Sequence, residues 1–338
     1  TYPLVTHAGT DKARDGGRRY LNLLIGTSIL LFLPAMIATW ALAGTLTFTP
    51  GGVFSEGTSA VVLSVLLVMF LYGIGKAGMM PLHKWLPSAM VAPTPVSALL
   101  HAVAVVKAGV FTVLKVVVFI FGTDTVAGLP ITPWLIYLAA ASILLASLIA
   151  MRQDNFKSRL AYSTVSQLGY ITLGAILASQ TAILGSAMHI TMHAFGKITL
   201  FFCAGAVYVA HHKTAISELD GMGRAMPITF AAFTLAALSI IGLPPLGGVW
   251  SKWFLMLGAL DSGYLIVLAV LSISSLLNIV YLLEIPARAF FRPAPAGSQL
   301  QEAPPFALAA LVLTAAMCIA LFFFGNDLYE FLRLARFA

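Results

Sequence analysis

Residues 21–48 and 131–151 contain no charged side chain. Each run reaches the roughly 20 residues that a helix needs to cross about 30 Å of hydrocarbon. The bilayer core offers no water to backbone amides and carbonyls, so a spanning segment must satisfy them internally, as a helix does. Composition agrees: 60% of the 338 residues are hydrophobic and 9% are charged, against about 25% charged in a soluble domain. The fold class is therefore all-α, a polytopic bundle of membrane helices.

Hydropathy predicts nine spans, at about 20–48, 58–80, 94–122, 131–151, 159–178, 181–210, 227–258, 263–284 and 306–325, with a polar-tipped tail over 325–338. The distribution of basic residues tests this layout. Alternate loops carry Lys12, Arg14, Arg18 and Arg19, then Lys84, then Arg152, Lys157 and Arg159, then Lys213 and Arg224, then Arg288 and Arg292. The opposing loops at 49–57, 123–130, 179–180 and 259–262 carry none, and only Arg333 and Arg336 of the tail share their side. Twelve against two fits nine spans with the basic face cytoplasmic. The net charge of +7 thus reports orientation, and nucleic acid is not an expected partner. A bacterial inner membrane is the expected location.

Two spans carry helix breakers. Pro81 closes the second, five residues after Lys76, and Pro244 and Pro245 interrupt the seventh within "IIGLPPLGGVWSKWF". Proline removes a donor and clashes with the preceding turn. In lipid such a break survives where the freed groups face protein or a wet cavity. A pair of interrupted spans, each with a lysine, is the pattern of inverted-repeat transporters with half-helices at the site; a packing kink is the alternative for either break.

Five lysines fall inside predicted spans: Lys76, Lys107, Lys115, Lys197 and Lys252. All twelve acidic residues map to loops or span ends. Cations without carboxylates are costly in a membrane and mark ion pathways or proton relays. Snorkelling from a helix end is the competing reading, strongest for Lys115. "MHITMHAFGKI" sets His189, His193 and Lys197 at i, i+4 and i+8, one face of a helix. His101 opens the third span's interior, with Lys107 nearly two turns later. Histidine exchanges protons near neutral pH through either ring nitrogen. Zinc at the histidine pair would need a further ligand, and none is suitably spaced, so no metal is expected. Ser163, Ser166 and Gln167 of the fifth span serve either as helix glue or as part of a wire, and Lys157 marks its cytoplasmic mouth, a candidate proton inlet. Cys203 and Cys318 lie in apolar runs without ligand spacing and read as small core residues. No Gly-rich nucleotide loop or iron–sulfur cysteine cluster occurs, so no cofactor is expected.

The chain opens on Thr1 without a basic-plus-apolar signal region. "TYPLVTHAGTDKARDGGRRY" reads as the tail of one helix followed by a basic loop, and the expectation is a fragment whose upstream helices are missing.

Four stretches, "GKAGMMPLHKWLPSAMVAPTPVSALLHA" (75–102), "LAYSTVSQLGY" (160–170), "HITMHAFGKITLF" (189–201) and "GLPPLGGVWSKW" (242–253), resemble the antiporter-like membrane subunits shared by respiratory complex I, membrane-bound hydrogenases and Mrp-type cation/proton antiporters. The resemblance implies fourteen core helices in two inverted five-helix repeats, each with a broken helix. The nine spans here then look like the sixth to fourteenth. Residues 1–122 would hold the last three spans of the first repeat, 123–285 the second repeat, and 286–338 a loop, the last span and the tail. Lys76 matches the lysine of the first broken helix, and Lys252 the terminal lysine of the second. His101, Lys107, His189, His193 and Lys197 match the connecting polar positions. The family's glutamate partner for Lys76 would lie upstream of Thr1.

The implied function is proton translocation within a multi-subunit antiporter or respiratory complex, from Lys76 by His101 and Lys107, then the His189–His193–Lys197 stripe, to Lys252. No catalytic site is expected in the chain itself, although its complex may be a NADH:quinone oxidoreductase translocase. The expected partners are other membrane subunits, with protons as cargo and Na+ as a second candidate. A non-conducting scaffold that anchors redox subunits is the rival class; it would need no aligned buried bases.

Overall fold

The computed structural model describes residues 2–294 and 299–334; Arg336 of the predicted tail lies outside them. The described residues form helices joined by short loops, without β-strands. We label the main helices α1 (Asp11–Ala43), α2 (Ala60–Gly73), α3 (Thr94–Phe121), α4 (Thr132–Met151), α5 (Phe156–Ile176), α6 (Gln180–His211), α7 (Pro227–Ile241), α8 (Gly248–Asp261), α9 (Leu265–Phe291), α10 (Pro305–Phe323) and α11 (Gly325–Arg333).

Among the described residues, α1, α3, α4, α6, α9 and α10 are long and apolar enough to cross a membrane. The other three predicted spans differ for physical reasons. The 21 residues of α5 would reach about 31 Å at 1.5 Å per residue, but a polar face dilutes their hydropathy. The second and seventh spans are the interrupted ones, and α2 and α7 are their shortened first halves. The sides assigned from basic residues also converge in space: Lys12, Arg19 and Lys84 border one groove, and Lys12, Lys157 and Lys213 a second.

In the centre, α6 packs against α3, α5, α7, α8 and α10, while α5 also packs along α4 and α9 lies against α4 and α7. Close approach needs small residues. A Cβ on Gly258 of α8 would stand 2.6 Å from the backbone nitrogen of Ala182 in α6, the small-residue contact by which membrane helices pack. Two large apolar clusters result. One joins α2, α3, α4 and the deep halves of α5 and α9; the other joins the basic-face end of α5 to α7, α10 and the C-terminal half of α6. On α6 the first cluster ends at Ala187 and the second begins at Leu200. His189, His193 and Lys197 lie between those residues.

Both breaks are real, and protein groups satisfy their backbones. α7 stops at Ile241; Gly242 then adopts φ +93°, and α8 restarts at Gly248. The Ile241 carbonyl has no partner four residues on, because position 245 is proline; it accepts from Lys252 Nζ at 3.0 Å instead. Across the loop, Gly247 N–H donates to the Cys318 carbonyl of α10 at 2.9 Å.

The first break comes earlier than Pro81. α2 ends at Gly73, and Gly75–Ala77 form a single tight turn before Gly78 at φ +69°. Trp85 Nε1 donates to the Gly75 carbonyl at 2.9 Å, and the Tyr72 hydroxyl donates to the Met80 carbonyl at 3.1 Å. Three glycines within "GIGKAG" therefore release the helix ahead of the proline.

Candidate functional site

Lys197 is fully buried, His189 and His193 nearly so, and Lys107 and Lys252 are 7% and 4% exposed. Lys107 of α3 hydrogen-bonds through Nζ to His193 Nδ1 of α6. One turn along α6, the His189 and His193 rings stack with centroids 5.7 Å apart. Spacing of i and i+4 places them one above the other.

His189 is held at both nitrogens. Nδ1 lies 2.8 Å from Ser251 Oγ of α8 and Nε2 lies 3.1 Å from Gln167 Oε1 of α5. Gln167 Oε1 accepts, so Nε2 carries a hydrogen. Ser251 has one hydroxyl hydrogen and two acceptors in reach, His189 Nδ1 and the Gly248 carbonyl at 3.1 Å. Donation to Nδ1 suits a neutral ring, and rotation to Gly248 suits a doubly protonated ring. The pocket thus accommodates both states of His189 without moving a helix. His193 is bonded through Nδ1 alone, and its Nε2 has no partner among the described residues; no three potential metal-binding side chains cluster there.

From His189 the line continues to α8. The Tyr170 ring stacks on His189 at 5.8 Å, and Lys252 Nζ lies 4.9 Å from the Tyr170 centroid, within cation–π range. Lys252 Nζ also donates to Ser275 Oγ of α9 at 3.0 Å, beside its bond to Ile241. Tyr170 donates its hydroxyl to the Leu271 carbonyl at 2.9 Å. A helix carboxyl end carries partial negative charge, so the break supplies Lys252 with what a carboxylate would otherwise provide.

Lys197 sits differently from the expected order. It lies on the stripe but not between His193 and Lys252; the histidine nearer the second break is His189. Its Nζ donates to Ser163 Oγ at 2.6 Å and reaches the Leu160 carbonyl at 3.4 Å. Lys197 is therefore a branch.

His101 is fully buried in a π-helical turn, Leu99–Val103, where such bulges often mark functional positions. Its ring lies 5.2 Å from that of Phe201, and neither nitrogen bonds a described residue. Lys157 Nζ donates to the Ala92 carbonyl at 2.8 Å, in the wall of a cavity of about 510 Å³ shared with Lys12 and Lys213; it makes no direct bond to the stripe.

Two of the five span lysines are not buried as expected. Lys76 lies on the tight turn that follows α2 and is exposed among the described residues. Its backbone is pinned: a Cβ on Gly109 of α3 would come within 2.4 Å of the Lys76 carbonyl carbon. Lys115 is half-buried, its Nζ 3.6 Å from the Phe48 ring centroid at the end remote from the basic loops. That cation–π contact accounts for the charge locally.

The sequence reading missed a polar face on α9. Ser274, Ser275, Asn278 and Tyr281 line it, and Ser274 joins Ser147 of α4 and Ser166 of α5 in a triangle of hydroxyls 2.9–3.4 Å apart. The signal was present as 274, 278 and 281, at i, i+4 and i+7 in an apolar run. Arg159, assigned to a loop, is instead in the first turn of α5 and buried, its NH1 2.6 Å from Glu284 Oε2.

A family model described as NADH:quinone oxidoreductase/Mrp antiporter, TM matches residues 1–278. NADH-quinone oxidoreductase subunit N of Desulforudis audaxviator is 36% identical over 325 residues, 92% of this chain and 64% of that protein. The chain thus spans just under two thirds of that relative. Among solved structures, a chain of the membrane-bound sulfane sulfur reductase, an archaeal respiratory membrane complex, superposes with a TM-score of 0.84 at 26% identity, covering 99% of this chain and 68% of that one. A chain of the Mrp complex from Dietzia sp. gives 0.84 at 23% identity over 95% of this chain and 67% of that one, a likeness of fold. A multi-pass bundle with two interrupted helices, matched over most of its length, belongs to the NADH:quinone oxidoreductase/Mrp antiporter transmembrane family.

Proposed function

We propose that this chain is a proton-translocating membrane subunit of a multi-subunit antiporter or respiratory complex, in a bacterial cell membrane. The observation that carries the reading is the bonded and stacked run from Lys107 through His193 and His189 to Tyr170 and Lys252. A run of exchangeable groups between helices is what a proton relay requires, and isolated ionisable groups at such depth have no structural use that repays their cost. The relatives are subunits of respiratory and Mrp complexes by name, which supports membrane subunits as partners; the proposed cargo is protons, with Na+ as the second candidate.

Within this reading Lys107 and His193 exchange a proton directly, and His189, one turn away along α6, is the next group to change state. The Ser251 hydroxyl turns as His189 changes state, and Lys252 delivers the proton at the second break. Lys252 borders a surface cavity of about 250 Å³ lined by Leu243, Trp253 and Ser275, which serves as its outlet. Lys76, on its turn against Gly109, acts on the first break, Gly109 being two residues from Lys107, and His101 contributes from the π turn earlier in α3. Residues 1–122 act as the last three spans of the first repeat and 123–285 as the second, with 286–338 holding a loop, the last span and the tail.

The test is sealed vesicles containing the native complex, with ΔpH followed by a fluorescent dye while Na+ or a reduced electron donor is added. Formation of a gradient, and its loss in Lys107→Met, is the expected result. An unchanged gradient in that variant would remove the relay.

A further inference from the structure

Two cavities adjoin at the basic ends of α3, α5, α6 and α10. One, of about 510 Å³, holds Lys12, Lys157 and Lys213 in its wall. The other, of about 380 Å³, is a groove lined by Pro95, Phe202, Gly205, Ala307 and Ala310. Pro93, Thr94 and Tyr208 line both.

The three lysines come from distant parts of the chain: Lys12 opens α1, Lys157 opens α5 and Lys213 follows α6. Many basic residues of this face are paired. Arg14 and Arg18 meet Asp11 and Asp15, Arg159 holds Glu284, and Arg288 and Arg292 hold Asp220. No acidic side chain lines the cavity of the three lysines. Lys157 Nζ donates to the Ala92 carbonyl at 2.8 Å and Lys213 Nζ to the Glu218 carbonyl at 2.7 Å. The acids nearest Lys157 and Lys213 in sequence are committed elsewhere. Glu218 accepts from the Thr214 and Ala215 amides at 3.2 and 2.9 Å, and Asp154 accepts from the Ser217 amide and hydroxyl at 2.9 and 2.7 Å. Orientation in the membrane explains basic residues on this face, but not three of them around one acid-free cavity. Like charges repel there, and an anion relieves the repulsion.

Beside the lysines the surface turns apolar and runs into the bundle. Ala310 is five residues into α10, and Phe202 is nine residues from the end of α6, about 8 and 14 Å from those ends at 1.5 Å per residue. A Cβ on Gly205 of α6 would stand 2.9 Å from Thr94 Cγ2, so the glycine lets α6 meet the start of α3 and close the floor. Tyr208, half exposed, stands where the two cavities join, the amphipathic position tyrosine takes at a membrane surface. A cationic cavity level with the helix ends and an apolar groove reaching inward match the two ends of a phospholipid. Basic pockets between helices on this side of a membrane suit anionic headgroups.

We propose that the adjoining cavities bind one anionic glycerophospholipid of the basic-face leaflet, its phosphate among Lys12, Lys157 and Lys213 and one acyl chain in the groove between α6 and α10. Seated there, the phosphate joins the start of α1 to α5 and to the loop after α6, and so fastens the first helices of the chain to the later ones.

The test uses the native complex in detergent micelles with phosphatidylglycerol or phosphatidylcholine carrying a diazirine on one acyl chain, the cross-links being mapped by mass spectrometry. Phosphatidylglycerol should label 202–209 and 303–310 at least ten-fold more than phosphatidylcholine does. The triple variant Lys12→Gln, Lys157→Gln, Lys213→Gln should lose that preference, each lysine contributing about five-fold. Lys12→Gln alone, at an exposed position, should lower it about five-fold, which keeps the test decisive where the triple variant assembles poorly. Ala307→Trp, also at an exposed position, fills the groove and should cut labelling of 202–209 at least ten-fold, with thermal unfolding close to that of the parent. Equal labelling by the two lipids, or a preference unchanged in the lysine variants, would overturn the headgroup assignment. No labelling of the parent by either lipid would mean that a partner subunit covers the groove, and displacement of phosphatidylglycerol by inorganic phosphate would make the cavity a free-anion site. Either result would overturn the lipid site.

Discussion

Replacing Lys252 and Lys197 separately by methionine should give two variants unequal in stability. Methionine matches lysine in length and removes a costly buried amine in both cases. The difference lies in what each amine leaves behind. Lys252 serves the Ile241 carbonyl at 3.0 Å, whose helical partner position is Pro245. Without Lys252 that carbonyl is unpaired beside the break, at a cost of about 1–3 kcal/mol. Lys197 serves Ser163, which keeps Tyr281 at 3.1 Å, and Leu160, whose carbonyl keeps the Thr164 hydroxyl at 2.8 Å. Lys197→Met therefore orphans nothing, and exchange of a buried ionic group for an apolar one is often neutral or stabilising. Lys252→Met should be the less stable of the pair by that 1–3 kcal/mol, which at about 2–4 °C per kcal/mol is a gap of roughly 2–12 °C in melting temperature. Thermal unfolding of the purified complexes measures the gap, and ΔpH formation in vesicles should fall at least ten-fold in Lys252→Met. Equal melting temperatures would refute the role given to Lys252 at the break, and retained transport in Lys252→Met would refute the relay.

Gly109→Val should destabilise the first break by about 1–3 kcal/mol through overpacking, since even a Cβ there would stand 2.4 Å from the Lys76 carbonyl carbon; unfolding should shift down, and protease access near Gly75 should rise. Ser251→Ala removes the partner of His189 Nδ1 at 2.8 Å and should slow ΔpH formation about ten-fold, equivalent to roughly 1.4 kcal/mol, while stability falls by only about 1 kcal/mol. Outside the membrane, hydrogen bonding from Ser217 holds the Asp154 carboxyl below its usual range, with Arg159 and Arg288 adding to it. A carboxylate with a depressed folded value contributes its stability above the unfolded value of about 3.9 and loses it as pH falls through the folded one. Protection of the Ser217 amide from exchange should therefore drop on acidification below about pH 4, and Asp154→Asn should abolish that dependence.

Hydropathy and basic-loop alternation were enough to find the spans, because the bilayer allows few alternatives. Pro244 and Pro245 located the second break correctly, since proline acts on its own helix. The first break was placed at Pro81 when it begins at Gly73; glycine in a membrane helix is ambiguous, and only the packing of Gly109 against the Lys76 backbone resolves it. Arg159 was misassigned because "DNFKS" reads as polar loop, yet the Asn155 side chain accepts from Ser158 N–H at 3.0 Å and starts α5 at Phe156. An N-cap reading of Asn155 would have found it. On α9 the stripe was visible as spacing, but Ser and Asn commonly bond their own backbone. Their partners on α5 belong to tertiary structure.

The buried bases are held by neutral dipoles rather than carboxylates, and that choice bears on what they can do. A lysine paired with a fixed carboxylate has a strong partner for its charged form alone. Lys107 meets an imidazole, Lys197 a serine, and Lys252 a serine with a helix-end carbonyl. Each partner can accept from an ammonium, and the imidazole and hydroxyls can also reorganise once the proton has gone. The helix break does for Lys252 what an acid would do, but with a fraction of a charge. Interrupting a transmembrane helix is costly, and the protein-satisfied break at Ile241 is a means of placing partial negative charge beside Lys252 without fixing a proton there.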